Sequence, residues 1–308
     1  MANGASAPFR PLAPPLTRLD ELRSNPSILS HANFPAALPE STTKVAVVHY
    51  QLELLHPDDE LEFSYVCGSE NGPENWGKIK EEWATCGSGR MQSPIDLSVS
   101  VSGHLAYLNH TYRPAEASVV NRGHDIMLKF HGDAGAGSLW INGTAYHLTQ
   151  LHWHSPSEHS VNGRRYNMEL HMVHLSADNK AAVIGLLYKI GRHNDFLHKL
   201  EPYLQSLADT KEKEEKVGVV DPWDARGEGE AYYRYMGSLT TPSCDEGVIW
   251  TVVNRVATVS SDQLKLLADA VHDGMEMNAR PLQKVNNRDI SFFCPDDHHE
   301  HYYAAADH

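Results

Sequence analysis

The chain has 308 residues, 41% of them hydrophobic and 21% charged, a globular composition that excludes disorder throughout and sets a prior of one or two domains. Its formal net charge of −14 argues against nucleic acid or an anionic membrane surface as a partner, since both are held by basic faces. No stretch approaches ~18 consecutive apolar residues, so no segment reads as a membrane span.

Residues 1–60 have too few regularly spaced apolar positions to fold alone and are expected to be a flexible extension. The longest apolar run there, Val45 to Val48, is too short for a signal-peptide core. Residues 1–19 carry Arg10 and Arg18, no acid, and many Ala and Pro, a faint likeness to a plastid transit peptide. Short strands then dominate. Ala117 to Asn121, Ile126 to His131, Ser138 to Ile141, His147 to His154, Met168 to Leu175, Ala181 to Lys189 and Val248 to Val256 have strand-like apolar content and turn boundaries. Asn194 to Leu207 is a helix candidate through Leu197, Leu200, Leu204 and Leu207, with Pro202 as a blemish. Lys211 to Lys216 (KEKEEK) reads as a solvated loop or helix end. Asp262 to His272 is a second helix candidate, opened by a Ser260–Gln263 capping box and stopped by Gly274. Asp296 to His308, with His298, His299 and His301, reads as a disordered acidic tail. Strand following strand without alternating helices points to an antiparallel sheet rather than a doubly wound fold.

The chemistry concentrates in Gln150-Leu-His-Trp-His154 and Glu169-Leu-His171. An isolated His-x-His carries little weight in a chain with 20 histidines. Here, however, His152 and His154 share one strand face, and the Ser-, Pro-, Asn- and Gly-containing stretch from Ser155 to Arg165 returns a second strand beside them carrying His171. Gln150 and Glu169 fall on the same faces as these histidines and can accept a hydrogen bond from a ligand's second nitrogen. Three imidazoles with an open fourth position describe a catalytic Zn2+ site, because structural zinc sites are closed by four protein ligands.

With these residues in view the chain resembles the α-class carbonic anhydrases, most of all plant members. Besides Gln150 to His174, the likeness is carried by Asn71-Gly-Pro-Glu-Asn-Trp76, Arg90-Met-Gln-Ser-Pro-Ile-Asp96, Asn121-Arg-Gly-His124, Ser155-Pro-Ser-Glu-His159 and Gly237-Ser-Leu-Thr-Thr-Pro242, in order over roughly Leu61 to Phe293. The resemblance implies a single domain over 61–294, mainly β or α+β, built on a large twisted, mostly antiparallel central sheet with a few peripheral helices. It implies Zn2+ bound by His152, His154 and His171 and reversible hydration of carbon dioxide to bicarbonate by a zinc-activated hydroxide. Thr240 then orients the nucleophile and donates to Glu158, Thr241 shapes the polar side of the pocket, and His124 shuttles protons. Val173, Val183, Leu239 and Trp250 align with the family's apolar wall. Met127 and Arg122 stand where many relatives carry polar residues and Asn, respectively. The implied partners are CO2 and bicarbonate, for a monomer or homodimer. A storage or binding protein with little activity is the alternative, against which the intact set of His152, His154, His171, Glu158 and Thr240 weighs.

Four cysteines allow three pairings, and spacing does not choose among them. The resemblance implies Cys86–Cys244, leaving Cys67 and Cys294 for a second bridge or as two thiols. The sequons at Asn109 and Asn142, with the cysteines, favour a secretory, extracellular compartment over a plastid.

Overall fold

The computed structural model describes residues 63–98, 105–132, 135–208, 210, 213–271 and 275–295. The extension at 1–60, Gly274 and the tail from Asp296 lie outside the described residues.

Strands supply most of the order. In sequence they are β1 (Asp96–Leu97), β2 (Asn109–His110), β3 (Ala115–Asn121), β4 (Ile126–Phe130), β5 (Ser138–Ile141), β6 (Thr144–His154), β7 (Ser160–Val161), β8 (Arg164–Arg165), β9 (Met168–Leu175), β10 (Ala181–Ile190), β11 (Glu214–Val220), β12 (Tyr232–Ser238), β13 (Glu246–Val259) and β14 (Ser291–Phe293). The helices are α1 (Trp76–Ile79), α2 (Thr85–Ser88), α3 (Asp195–Leu207), α4 (Pro222–Arg226) and α5 (Ser261–Ala270). The main sheet has eleven strands in the order β11-β3-β4-β6-β9-β10-β13-β12-β14, with β5 on β6 and β2 on β5. Its ladders are antiparallel except β10 against β13. The expected antiparallel sheet is therefore present, with one parallel seam near its centre.

Side-chain alternation sends the two faces of this sheet to different tasks. Leu151 and Trp153 of β6, Leu170 and Met172 of β9, and Ile184 and Leu186 of β10 join one apolar cluster, which also takes in Leu197, Leu200, Leu204 and Leu207 of α3 and Leu267 and Ala270 of α5. The opposite face carries Gln150, His152 and His154, opposite Glu169, His171 and Val173. A register shift between Leu148 and Gln150 matters here. The extra residue reverses the alternation, so Tyr146 and Leu148 face the same core as Leu151 and Trp153 while the histidine face stays free.

Both long helices begin where their caps require. Asn194 accepts from the Leu197 amide at 2.9 Å, and Ser260 with Gln263 forms both halves of the capping box. α5 ends at Ala270, two residues before the expected His272, as Val271 turns extended. The charged run is corrected: Glu214 to Lys216 open β11, an edge strand paired with Val120, Val119 and Ser118. Charges on an edge strand are compatible with pairing because only one side of its backbone is taken, and they discourage further strand addition. The β5–β6 hairpin turns through Asn142 and Gly143, whose φ of 49° and 80° suit a two-residue loop.

The expected bridge between Cys67 and Cys294 is not formed. Cys67 is exposed in a turn just after Tyr65, whose neighbour Phe63 packs on His124 at the β3–β4 turn. Cys294 follows β14, the far edge strand of the sheet. Cys86 and Cys244 are joined, across 158 residues of sequence.

Candidate metal centre

Strand register brings the three histidines together. His152 and His171 are a direct cross-strand pair of β6 and β9, and the three ring centroids lie 4.6 to 5.0 Å apart. Each ring is aimed by a hydrogen bond from its other nitrogen. His152 Nδ1 donates to Gln150 Oε1 at 2.9 Å, His154 Nδ1 to the Asn278 carbonyl at 2.7 Å, and His171 Nε2 to Glu169 Oε1 at 3.0 Å. Those bonds fix the tautomers and turn the lone pairs of His152 Nε2, His154 Nε2 and His171 Nδ1 towards one another, His171 Nδ1 lying 3.3 Å from His152 Nε2. One ligand atom from each residue lies within 4.8 Å of the others. Burial lowers the pKa of His152 and His171, holding both neutral, the form that binds metal.

The donor set fits a zinc ion. His154 Nε2 is buried without a hydrogen-bond partner and lies 3.7 Å from Glu158 Oε2, which is likewise buried and unpartnered. Two buried lone-pair sites facing each other are costly unless a cation or proton donor enters. His159, Glu169 and His171 also cluster, but there the carboxylate is already saturated. Glu169 accepts from the His159 amide at 2.8 Å and His159 Nδ1 at 2.7 Å as well as from His171. Burial alone would raise the Glu169 carboxyl, yet His159 and His171 hold it well below the usual range. His159 then leads, at 2.7 Å, to the Tyr235 hydroxyl and on to Ser93 at 2.8 Å.

Other predicted residues stand close by, in differing states. Val183 pairs with Val173 on β9 and with Trp250 on β13, and Leu239 packs on the same apolar cluster. The Trp250 ring sits 4.8 Å from the His171 ring, so this wall adjoins the triad. Trp250 Nε1 also donates to the Ser238 carbonyl at 2.9 Å, tethering the segment that carries Thr240 and Thr241. Thr240 is buried and Thr241 half-buried. The expected hydrogen bond from Thr240 to Glu158 is not formed, since Oε2 of Glu158 has no partner. His124 differs most from expectation: it is 2% exposed, with its ring 5.7 Å from that of Phe63. Beside it, Arg122 Nε donates to Asp125 Oδ1 at 2.7 Å. Burial would raise the Asp125 carboxyl, but the Arg122 guanidinium outweighs it and holds the group well below the usual range. Arg122 is thereby explained as the counterion of a buried acid. Met127 lies opposite His152 in the ladder.

Sequence reasoning missed the segment around residues 278–280. Asn278 accepts from His154 through its carbonyl, and its side chain donates to the His124 and Trp153 carbonyls at 2.8 and 3.2 Å. The Arg280 amide donates to Glu158 Oε1 at 2.9 Å, while its buried guanidinium donates to Gln92, Ser93 and Cys86. This stretch belongs to no strand or helix, so no periodicity in the sequence marks it.

A profile of the eukaryotic-type carbonic anhydrases matches residues 71–293. The chain belongs to that family. It is 51% identical over 241 residues to alpha carbonic anhydrase 7 of Arabidopsis thaliana, covering 77% of this chain and 87% of the relative. With alpha carbonic anhydrase 5 of the same plant it shares 48% over 248 residues, 80% of this chain and 90% of the relative. Among solved structures, that of dioscorin complexed with ascorbate superposes with a TM-score of 0.72 at 47% identity, covering 75% of this chain and 98% of dioscorin. Carbonic anhydrases of this class generally depend on zinc, and the His152, His154 and His171 cluster is the matching feature here.

Proposed function

We propose that the chain catalyses zinc-dependent, reversible hydration of carbon dioxide to bicarbonate and a proton. The observation carrying this reading is the convergence of three imidazoles whose second nitrogens are all committed to Gln150, Asn278 and Glu169. When bound, zinc supplies a Lewis acid that lets water ionise near neutral pH. Val173, Val183, Leu239 and Trp250 give an apolar substrate a dry surface beside the triad. Thr240 orients the attacking oxygen: its hydroxyl accepts a hydrogen bond from that oxygen and donates one to Glu158 Oε2, which is buried without a hydrogen-bond partner. Thr241 borders the same pocket. His124 carries the released proton outward; its burial against Phe63 requires the ring to swing towards solvent first.

The test is metal analysis paired with stopped-flow CO2 hydration. Zinc-loaded protein should hydrate CO2, and His171→Ala should lose both triad zinc and activity. Full activity in the variant would refute the assignment. His124→Ala should slow turnover mainly in weak buffer, with rescue by imidazole; buffer-independent turnover would remove the shuttle role.

Likeness to dioscorin motivates a second reading, a storage protein with weak activity. The complete triad with its orienting acceptors favours the enzyme, and bulk accumulation is compatible with it. We also place the chain on the secretory route. A buried disulfide and two exposed sequon asparagines, Asn109 and Asn142, suit an oxidising, glycosylating compartment.

A further inference from the structure

A second group of metal-ligating side chains lies away from the triad, where α3 begins. His198 and Glu201 are three apart on one helix face, and His193 precedes the helix in the segment leaving β10. His193 Nε2 is 2.8 Å from Glu201 Oε1 and His198 Nδ1 is 3.0 Å from Glu201 Oε2. The two rings are 5.0 Å apart. One ligand atom from each residue lies within 4.8 Å of the others, as in the triad.

Surface ion pairs are common, and an exposed His–Glu–His contact is by itself weak evidence. What distinguishes this one is its support. Gln263, a buried residue of α5, donates to Glu201 Oε1 at 2.9 Å and to the Asn194 carbonyl at 2.9 Å, and accepts from the Asn194 amide at 2.8 Å. Asn194 in turn caps α3. The carboxylate and the backbone beside His193 are thus held by the capping system of two helices. Partial burial opposes ionisation of Glu201, yet hydrogen bonds from Gln263 and His198 keep its carboxyl below the usual range. It therefore stays anionic at neutral pH.

We propose that His193, His198 and Glu201 form a second, auxiliary site for a divalent transition-metal cation of the zinc type. Two imidazoles and one carboxylate suit such an ion, whereas calcium or magnesium calls for oxygen ligands alone. Without metal, the protons on His193 Nε2 and His198 Nδ1 occupy the positions a cation takes. On binding, each ring moves its proton to the opposite nitrogen and remains neutral. For His193 this gives up the 3.3 Å contact of Nδ1 with Gln263, a contact that water can replace because the ring is half exposed. The bound ion joins the β10–α3 segment to α3 and, through Gln263, to α5. Its role is to fasten these helices, separately from any reaction at His152, His154 and His171.

The experiment uses the full chain with His298, His299, His301 and His308 changed to Ala, so that tail histidines bind nothing. Equilibrium dialysis against zinc, with metal counted by mass spectrometry, should give two ions per chain. His193→Ala with His198→Ala should give one, with CO2 hydration unchanged; Glu201→Gln should weaken the second ion at least tenfold. In protein whose triad is already zinc-filled, added copper(II) should show nitrogen hyperfine splitting that the double variant lacks. Zinc should also raise Tm beyond the rise seen in that variant. One ion per chain in both proteins, or a copper signal without nitrogen couplings, would overturn the site.

Discussion

Glu169→Gln is the sharpest test of how the centre is organised. The Glu169 carboxylate is fully buried and accepts three hydrogen bonds, two of them from His159 and one from His171. A neutral amide keeps the shape but removes the charge and turns one acceptor into a donor. If the amide nitrogen takes the place of Oε2 it meets the His159 amide; at Oε1 it meets two ring N–H groups. On one side the carboxylate packs so closely on Gly185 that a Cβ there would lie 2.8 Å from Glu169 Oε1. Hydrogen bonds to a charged group are worth about 1.5–3 kcal/mol each. If one such bond, that to His171, is lost from the metal-bound state, zinc affinity falls ~10- to 100-fold. Zinc competition against a chelator measures the affinity, and urea unfolding of metal-free protein separates out general destabilisation. Unchanged zinc affinity alongside reduced stability would show that Glu169 holds the fold and does not aim His171.

Thr240→Ala should retain zinc and lower kcat for CO2 hydration, since Glu158 Oε2 then has no hydroxyl to receive; an unaltered rate would remove Thr240 from the mechanism. Replacing Cys86 and Cys244 by Ser frees a loop spanning 158 residues and should cost about 5 kcal/mol in urea unfolding on chain-entropy grounds. A loss below ~1 kcal/mol would place the restraint elsewhere. Acid should destabilise the protein through His174, which burial lowers to about 4 from the usual ~6.5. The unfolded chain takes up that proton first, so stability is full above pH ~6.5 and falls by about 3 kcal/mol as the pH drops to ~4. His174→Gln should flatten that part of the profile in pH-dependent unfolding, and an identical slope would discount His174. Gly185→Val should disrupt the Glu169 contact and release zinc, whereas a variant that binds zinc normally would show the site to be more yielding than its packing suggests.

Much of this protein was legible before any coordinates, for a local reason. A strand alternates every second residue, so Gln150, His152 and His154 were bound to share a face, as were Glu169 and His171. Helical periodicity and capping are equally local: the stripe of Leu197, Leu200, Leu204 and Leu207 announced α3, and the Ser260–Gln263 capping box announced α5. Everything that depended on distant segments meeting was decided by the tertiary structure. His154 is aimed by Asn278, 124 residues away, and Glu158 is held by Arg280, 122 residues away. Both partners sit in irregular backbone that carries no periodic signal. The burial of His124, the open Thr240–Glu158 contact, the unpaired Cys67 and Cys294, and the edge-strand fate of Glu214 to Lys216 follow from sheet order and packing. Such contacts depend on which strand lies beside which, and residue spacing along the chain holds no record of that.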